Sequence, residues 1–92
     1  MVPTDIPTAL SPAESMLLQR VARGRRVVEA GALLGHSTIV LASTAASVVS
    51  IDKHEGYGPS TLGAWLRNID RYCVQGLVKL VQGDALVELR LA

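Results

Sequence analysis

The hydrophobic pattern of the chain begins with helical spacing. Apolar residues recur at intervals of three and four over residues 12–23, at Ala13, Met16, Leu17 and Val21. Ser11 is a helix-capping residue, Pro12 suits the first helical position, and Glu14 completes a capping-box signature. Gly24 follows the last apolar position and is typical of a helix end. The sequence therefore predicts a first helix, preceded by an extended arm at residues 1–10 that contains two prolines.

Short apolar runs then alternate with helical segments. Three of these runs are predicted to be β-strands and span residues 26–30, 47–51 and 77–81. Helices are predicted between them over residues 37–46 and from Ser60 or Thr61 to Gly76, with a last helix over residues 85–91. Strands that alternate with helices pair in parallel through right-handed crossovers. The pattern thus predicts half of a doubly wound α/β sheet with strand order 3-2-1, in a single domain over residues 11–92.

Composition narrows the classes of function. The 92 residues carry a net charge of +1 and are 49% hydrophobic, and only 3% are aromatic. So small a charge argues against binding to nucleic acid or an anionic membrane, and the scarcity of aromatic residues argues against base stacking. A single cysteine, Cys73, excludes an internal disulfide and is predicted to be a core residue on the apolar face of the third helix. Neither a signal peptide nor a membrane span is expected, so we predict a cytoplasmic protein.

The loop after the first predicted strand is the first candidate for binding chemistry. The segment reads E-x-G-x-x-x-G-x-S-T, with Glu29 at the end of the strand and Gly31 and Gly35 in the loop. A strand, a glycine loop and a helix in this order present backbone N–H groups to a nucleotide-like ligand. The spacing differs from the G-x-G-x-x-G of dinucleotide-binding proteins. Taken alone, the two glycines could equally be turn residues.

Two acidic residues strengthen this interpretation by their position. Asp52 follows the second predicted strand and Asp84 follows the third. Singly, each would be a turn or helix-capping residue. In a parallel sheet, however, ligands bind outside the carboxyl ends of the strands, where an acid can accept hydrogen bonds from ribose hydroxyls. Together with the glycine loop, these residues predict one ligand site at that edge.

The three motifs that carry this site resemble those of a known family. The segments V-V-E-A-G-A-L-L-G-H-S-T, V-V-S-I-D-K-H-E-G and V-K-L-V-Q-G-D-A, within residues 25–85, resemble the first three motifs of class I S-adenosylmethionine-dependent methyltransferases. The similarity is to the small-molecule O-methyltransferase-like subset. It implies a three-layer Rossmann-like half domain with an additional N-terminal helix, truncated relative to a full methyltransferase. The implied cofactor is S-adenosylmethionine, with S-adenosylhomocysteine as the product.

The resemblance assigns the glycine loop to the amino-acid end of the cofactor. Glu29 and Gly31 are implied to lie beside the amino-acid moiety of S-adenosylmethionine. Gly35 is implied to let the following helix approach the cofactor, with His36 and Ser37 flanking it.

The resemblance assigns the second and third strand ends to the nucleoside. Asp52 is implied to bind the ribose hydroxyls, with Lys53 and His54 near the adenine. Asp84 and Ala85 are implied to contact the adenine ring. Family members carry their catalytic and substrate residues mainly after a fourth strand, and no residue here matches those positions, so the catalytic residues stay unknown.

Several alternatives remain open at this point. One is a methyltransferase in which a second chain supplies the missing walls, and another is a non-catalytic module that binds the cofactor or a protein partner. A NAD-type Rossmann protein is a third, disfavoured by the glycine spacing. His36, His54, Glu55 and Asp84 lack the spacing of metal ligands, so no metal is expected.

The predicted topology has a consequence for assembly. Strand one would have a free edge, and one face of the sheet would be covered only by the last helix. We therefore expect a homodimer or higher oligomer through the strand-one edge or the uncovered face, or a complex with a different protein chain.

Overall fold

The computed structural model describes residues 2–54, 61–84 and 87–88. Its elements follow in the order α1 (Pro12–Ala22), β1 (Arg26–Ala30), α2 (His36–Ala42), β2 (Ser47–Asp52), α3 (Thr61–Arg71) and β3 (Val78–Gln82). The predicted alternation of helices and strands is confirmed, and each predicted strand lies within one residue of the observed one.

The sheet has the predicted topology. Its three strands are parallel, in the order β1-β2-β3, which is the predicted 3-2-1 order read from the other edge. The register places Val28 opposite Val49, and Val49 opposite Lys79. Glu29, Ser50 and Leu80 form the next row across the sheet. Because side chains alternate along a strand, these two rows point to opposite faces.

All three helices pack on one face of the sheet. The core between them joins Ile39 of α2, Val48 of β2 and Trp65 of α3, which are at most 2% exposed. Ala22 of α1 belongs to the same cluster. Within the described residues the helices therefore form a single layer. The third layer predicted from the sequence was the last helix, of which the structure describes only residues 87–88.

Helix α1 begins as its sequence predicts. Ser11 Oγ accepts a hydrogen bond from the Glu14 N–H at 3.1 Å, and Glu14 Oε1 accepts one from the Ser11 N–H at 2.9 Å. This reciprocal capping box satisfies two donors that the first helical turn would otherwise leave without partners.

Helix α2 is shorter than the predicted 37–46 and ends at Ala42. The Thr44 hydroxyl donates to the Gln19 carbonyl in α1 at 2.6 Å, and the Ala46 N–H donates to the Arg25 carbonyl at 2.8 Å. The Ala46 N–H thus bonds to a residue outside the helix, and α2 ends before Ala45 and Ala46.

Helix α3 ends at Arg71, earlier than predicted. The way in which it ends also shows that the expectation of a buried Cys73 was wrong. Cys73 adopts a left-handed conformation with φ of 59° and is exposed, rather than buried in the core. Its N–H donates to the Asp70 carbonyl at 3.0 Å, and the Val74 N–H donates to the Ile69 carbonyl at 3.3 Å. This is the Schellman arrangement, in which the left-handed residue points away from the helix face it follows. Cys73 occupies the position that the sequence analysis gave to Gly76.

The N-terminal arm packs on the helices. Ile6 is buried in the common core. Asp5 Oδ2 lies 2.7 Å from Arg71 Nη1, and the Tyr72 hydroxyl donates to Asp5 Oδ1. The bond from Tyr72, and next to it the charge of Arg71, hold the pKa of Asp5 below its ordinary value of 3.8. These contacts hold the arm against the C-terminal end of α3.

Some predictions fall outside the described residues. These concern most of the loop after Lys53, the capping role of Ser60, Ala85 and most of the last helix. Among the helices that the structure describes, none is long and apolar enough to cross a membrane.

Candidate functional site

The loop that joins β1 to α2 requires both of its glycines. Gly31 and Gly35 have φ values of 85° and 100°, in the left-handed region that side chains rarely adopt. A Cβ on Gly31 would meet no atom within 4 Å, so this glycine faces open space. A Cβ on Gly35 would lie 3.4 Å from Trp65 Cδ1, so this glycine lets the loop pack against α3. Gly31 therefore leaves the loop backbone exposed on its open side, and Gly35 lets the loop approach α3.

Glu29 lies at the centre of a buried hydrogen-bond network. Its side chain is on the helix face of β1, and the residue is 7% exposed. Oε2 accepts a hydrogen bond from Ser37 Oγ at 2.6 Å. Oε1 accepts one from Thr38 Oγ1 at 2.5 Å and one from Ser50 Oγ at 3.0 Å. The carboxylate thus ties the first turn of α2 to β1 and β2.

The network extends to α3 through an indole. Trp65 Nε1 donates to Thr38 Oγ1 at 3.2 Å, while Thr38 donates to Glu29. Asn68 Nδ2 on the same helix donates to the Leu34 carbonyl in the glycine loop at 2.8 Å. Together these two bonds hold the end of the loop that enters α2 against α3.

Asp52 holds the same loop from the second strand. Its Oδ2 accepts hydrogen bonds from the N–H groups of Ala32 at 2.6 Å and Leu33 at 2.9 Å, and Oδ1 accepts one from His54 at 2.8 Å. Partial burial opposes ionisation, but these three N–H groups outweigh it and hold the pKa of Asp52 below its ordinary value of 3.8. Each carboxylate oxygen offers two lone pairs. One acceptor position, on Oδ1, stays open for a ligand hydroxyl.

The third strand end meets the second through an ion pair. Lys53 Nζ lies 3.1 Å from Asp84 Oδ2, with both side chains partly exposed. The pair borders a cleft with Gln82 and Gly83. His54 is buried, and its ring centroid lies 5.8 Å from that of Trp65. The structure thus gathers Asp52, Lys53 and Asp84 at one edge, as the sequence predicts.

A cavity of about 380 Å³ opens at the carboxyl end of β1. Glu29, Gly31, His36 and Ser37 line one side, and residues 7–10 of the N-terminal arm line the other. Its size is typical of small-molecule pockets, and it adjoins the open side of Gly31. Among the residues that the structure describes, no three His, Cys, Asp or Glu side chains gather as a metal site would require.

Comparison with solved structures shows which known proteins share this fold. Cofactor-bound Rv0187 from MTB has a TM-score of 0.77 and 33% sequence identity to this chain, over 96% of the chain and 42% of the solved protein. An O-methyltransferase from Bacillus cereus, solved in complex with SAH, has a TM-score of 0.72 and 26% identity over 98% of this chain and 40% of its own. In its fold, the chain matches the N-terminal half of class I S-adenosylmethionine-dependent methyltransferases.

A second O-methyltransferase has the same fold, and its alignment shows how much of such a protein this chain covers. The O-methyltransferase TomG from Streptomyces achromogenes, involved in tomaymycin synthesis and solved with SAM, has a TM-score of 0.74 and 27% identity. The alignment covers 90% of this chain and 38% of that one. The methyltransferase-like chain thus spans about two fifths of the length of the structures it matches. No protein-family model matches the sequence, and no curated protein matches it significantly.

Sequence reasoning missed the internal partners of the methyltransferase-type site. Thr38, Ser50 and Trp65 serve the Glu29 carboxylate directly or through one hydroxyl. The sequence did contain a signal for the role of Ser50. A hydroxyl residue on the helix face of a buried strand needs a polar partner, and Glu29 is that partner here. The link to Trp65 had no signal, because it depends on how α3 packs across α2.

Proposed function

We propose that this chain binds S-adenosylmethionine along the carboxyl ends of its three strands, as the cofactor-binding half of a methyltransferase. The observation that carries the proposal is the cavity at the end of β1, where Gly31 faces open space beside Glu29. Two solved O-methyltransferases with a similar fold contain SAM or SAH.

The chemistry of the residues fits the cofactor. S-adenosylmethionine carries a sulfonium and an ammonium group, which negatively charged surroundings stabilise. Glu29 lines the cavity with a carboxylate, and the Ser37 hydroxyl lies beside it. The open acceptor position on Asp52 Oδ1 suits one ribose hydroxyl, since carboxylates form strong, charge-assisted hydrogen bonds. Chelation of both ribose hydroxyls by Asp52 would require its bonds to the glycine loop to lengthen.

The proposal assigns the remaining residues to two ends of the cofactor. Gly35, His36 and Ser37 flank the amino-acid moiety. Lys53 and His54 lie near the adenine, and Asp84 and Ala85 contact it. The bound cofactor would supply an electrophilic methyl group, and the chain's own residues would orient it and exclude water.

Calorimetric titration tests the proposal directly. We expect S-adenosylmethionine and S-adenosylhomocysteine to bind and NAD to bind far more weakly, because the glycine spacing is not that of a dinucleotide site. Asp70→Ala serves as a matched control for variants of Asp52, since Asp70 is an exposed acid at the far end of α3. A preference for NAD, or an absence of binding to all three compounds, would overturn the proposal.

The proposal extends to a second polypeptide that covers β1. Within the described residues, β1 pairs only with β2, so its outer edge has unpaired N–H and C=O groups. Val28 on the face opposite the helices is 56% exposed, and Val21 of α1 is 57% exposed. A groove of about 340 Å³ runs between them. A homodimer paired through β1 would bury this surface, and the alternative is a partner chain that supplies the second half of a methyltransferase.

Light scattering of the purified chain tests this assembly. We expect a dimer or higher oligomer at micromolar concentration, and Val28→Lys should shift it to the monomer because a lysine would be buried unpaired. Leu66→Lys is the control, since Leu66 of α3 is also exposed but lies away from β1. A monomeric chain that binds no partner yet stays folded would favour the non-catalytic module.

A further inference from the structure

The two walls of the cavity at the end of β1 come from segments that are distant in sequence. Residues 7–10 of the N-terminal arm form one wall, and the glycine loop, with Gly31 and Leu34, forms part of the other. Neither segment lies in a helix or a strand. Such segments lack a regular ladder of backbone hydrogen bonds, so a few individual contacts decide how firmly each wall is held.

The arm is held by a cluster of polar side chains at the C-terminal end of α3. This cluster, called the Arg71 cluster, consists of Asp5, Asn68, Arg71 and Tyr72. Asp5 Oδ2 lies 2.7 Å from Arg71 Nη1, and the Tyr72 hydroxyl donates to Asp5 Oδ1. The Arg71 guanidinium also lies over the Tyr72 ring, 5.1 Å from its centroid, in a cation–π contact. Both oxygens of Asp5 are thus bonded to α3, two residues before the arm reaches the cavity at Pro7.

The same guanidinium is linked to the glycine loop through Asn68. Arg71 Nη2 donates to Asn68 Oδ1 at 3.2 Å, and Asn68 Nδ2 donates to the Leu34 carbonyl at 2.8 Å. A guanidinium can only donate, so the bond from Arg71 requires the amide oxygen of Asn68 to face it. The amide nitrogen then faces Leu34. Arg71 therefore contacts the arm with one nitrogen and orients the partner of the loop with another.

The exposure of the cluster indicates what its loss would change. The side chains of Arg71 and Asp5 are about half exposed. An exposed ion pair contributes little to global stability, and local opening of a segment requires less free energy than unfolding of the domain. Ile6 would still be buried in the common core. Loss of the Arg71 contacts should therefore loosen the two cavity walls and leave the sheet and helices folded.

We propose that Arg71 is a positioning residue for the cofactor site, which holds both walls of the cavity and slows the release of a bound ligand. This assignment rests on the proposed function, since the ligand is the cofactor proposed above. Arg71 does not itself line the cavity. It acts through Asp5 on the arm and through Asn68 on the glycine loop. When these contacts are absent, the walls open more often, and a ligand enters and leaves faster.

Binding kinetics of S-adenosylhomocysteine test this role, with surface plasmon resonance on the immobilised chain. Arg71→Gln should raise the release rate by about threefold, the scale for one exposed ion pair with an attached hydrogen bond, and should raise the association rate as well. Arg67→Gln is the matched control, since Arg67 is an exposed arginine one turn earlier on α3 and takes no part in these bonds. Its rates should equal those of the unsubstituted chain.

The two rates separate positioning from a loss of fold. A variant that is partly unfolded presents fewer competent molecules, which lowers the apparent association rate and leaves the release rate of the folded ones unchanged. An Arg71→Gln release rate equal to that of the unsubstituted chain would therefore overturn the positioning role.

Backbone ¹⁵N relaxation of the ligand-free chain tests whether Arg71 holds both segments. Arg71→Gln should lower the order parameters of residues 4–10 and of residues 31–35. Asp5→Asn should lower them only in the arm, and Asn68→Ala only in the loop, because each removes one of the two connections. Unchanged order parameters in either segment of Arg71→Gln would contradict the proposal.

The same measurements distinguish failure of this inference from failure of the proposed function. S-adenosylhomocysteine is first titrated into the unsubstituted chain. If it binds and its release does not depend on Arg71, the cofactor site stands and the positioning role is wrong. If it does not bind, the proposed function is wrong, and so is the cofactor role of Arg71, whatever the order parameters show.

Discussion

Two carboxylates end neighbouring strands of this sheet, and their surroundings differ. Glu29 on β1 is buried and is satisfied by the hydroxyls of three side chains. Asp52 on β2 is only partly buried, and its three hydrogen-bond donors are backbone N–H groups. Both tie the glycine loop to the sheet. Glu29 does so on the buried side of the loop, through its bonds to the first turn of α2. Asp52 does so at the exposed edge of the sheet, through its bonds to the loop N–H groups.

This difference suggests different roles for two residues of the same chemistry. Glu29 is 7% exposed and its three donors are side-chain hydroxyls packed around it, so its removal should mainly affect stability. Asp52 is more exposed and lies at the edge of the sheet, so its removal should mainly affect binding. The comparison also shows why an acid at a strand end cannot be assigned a ligand role by position alone, since its internal partners decide how much of it is available.

The largest expected effect is on folding stability at Glu29. Glu29→Ala would leave the hydroxyls of Ser37, Thr38 and Ser50 without their acceptor in the core, at a cost of about 2–4 kcal/mol in the free energy of unfolding. Urea denaturation measures this change. Ser37→Ala removes only one donor, and we expect it to cost about 1 kcal/mol. Equal effects of the two substitutions would mean that Glu29 contributes no more to stability than its single bond to Ser37.

The next effect concerns affinity at Asp52. Asp52→Ala should weaken S-adenosylmethionine binding by about 1–3 kcal/mol, the scale for a lost charge-assisted hydrogen bond and a loosened loop. Calorimetry measures it against the Asp70→Ala control. Affinity equal to that of the unsubstituted chain would refute the ribose role, and a stability loss as large as that of Glu29→Ala would remove the distinction between the two acids.

The two glycines of the loop allow the same comparison, because Gly35 packs against α3 and Gly31 faces the open space beside the cavity. Alanine at either position must adopt a positive φ, which costs about 1–2 kcal/mol. The φ of 100° at Gly35 is further from the left-handed value of about 57° than the φ of 85° at Gly31, so Gly35→Ala should be the more destabilising. Gly31→Ala should instead lose more cofactor affinity, because its Cβ projects into open space beside the cavity. Melting temperature and calorimetric affinity for the pair should therefore rank in opposite orders.

The smallest expected effect is the contribution of Asp52 to the pH dependence of folding stability. The pKa of Asp52 is lowered in the folded chain, so its contribution to stability is present above its ordinary value of 3.8 and is lost as pH falls through the lower folded value. Asp5 is lowered in the same direction and acts in the same pH range. Urea midpoints between pH 2 and 6 should fall less steeply for Asp52→Asn than for the unsubstituted chain. Identical slopes would show that the N–H bonds of Asp52 do not stabilise the fold.

Local signals in the sequence were sufficient for the architecture. Helical spacing and the S-P-A-E cap predicted α1, and apolar runs predicted three strands within one residue of their observed bounds. Parallel order followed from alternation, because a right-handed crossover is nearly obligatory. The glycine loop with Asp52 and Asp84 at successive strand ends was also visible, since strand polarity alone brings those positions to one edge.

Tertiary structure decided the rest. The end of α2 depends on the carbonyls of Gln19 and Arg25, which lie in other elements, and the position of Cys73 depends on where α3 stops packing. Which acid is buried among hydroxyls and which lies at the edge of the sheet depends on groups that only the packed fold brings within about 3 Å. The cavity at the end of β1 likewise exists only because residues 7–10 of the N-terminal arm fold over Glu29 and His36, which are distant in sequence. A pattern with a period of two or four residues records local geometry, whereas these contacts join residues far apart in the chain and carry no period.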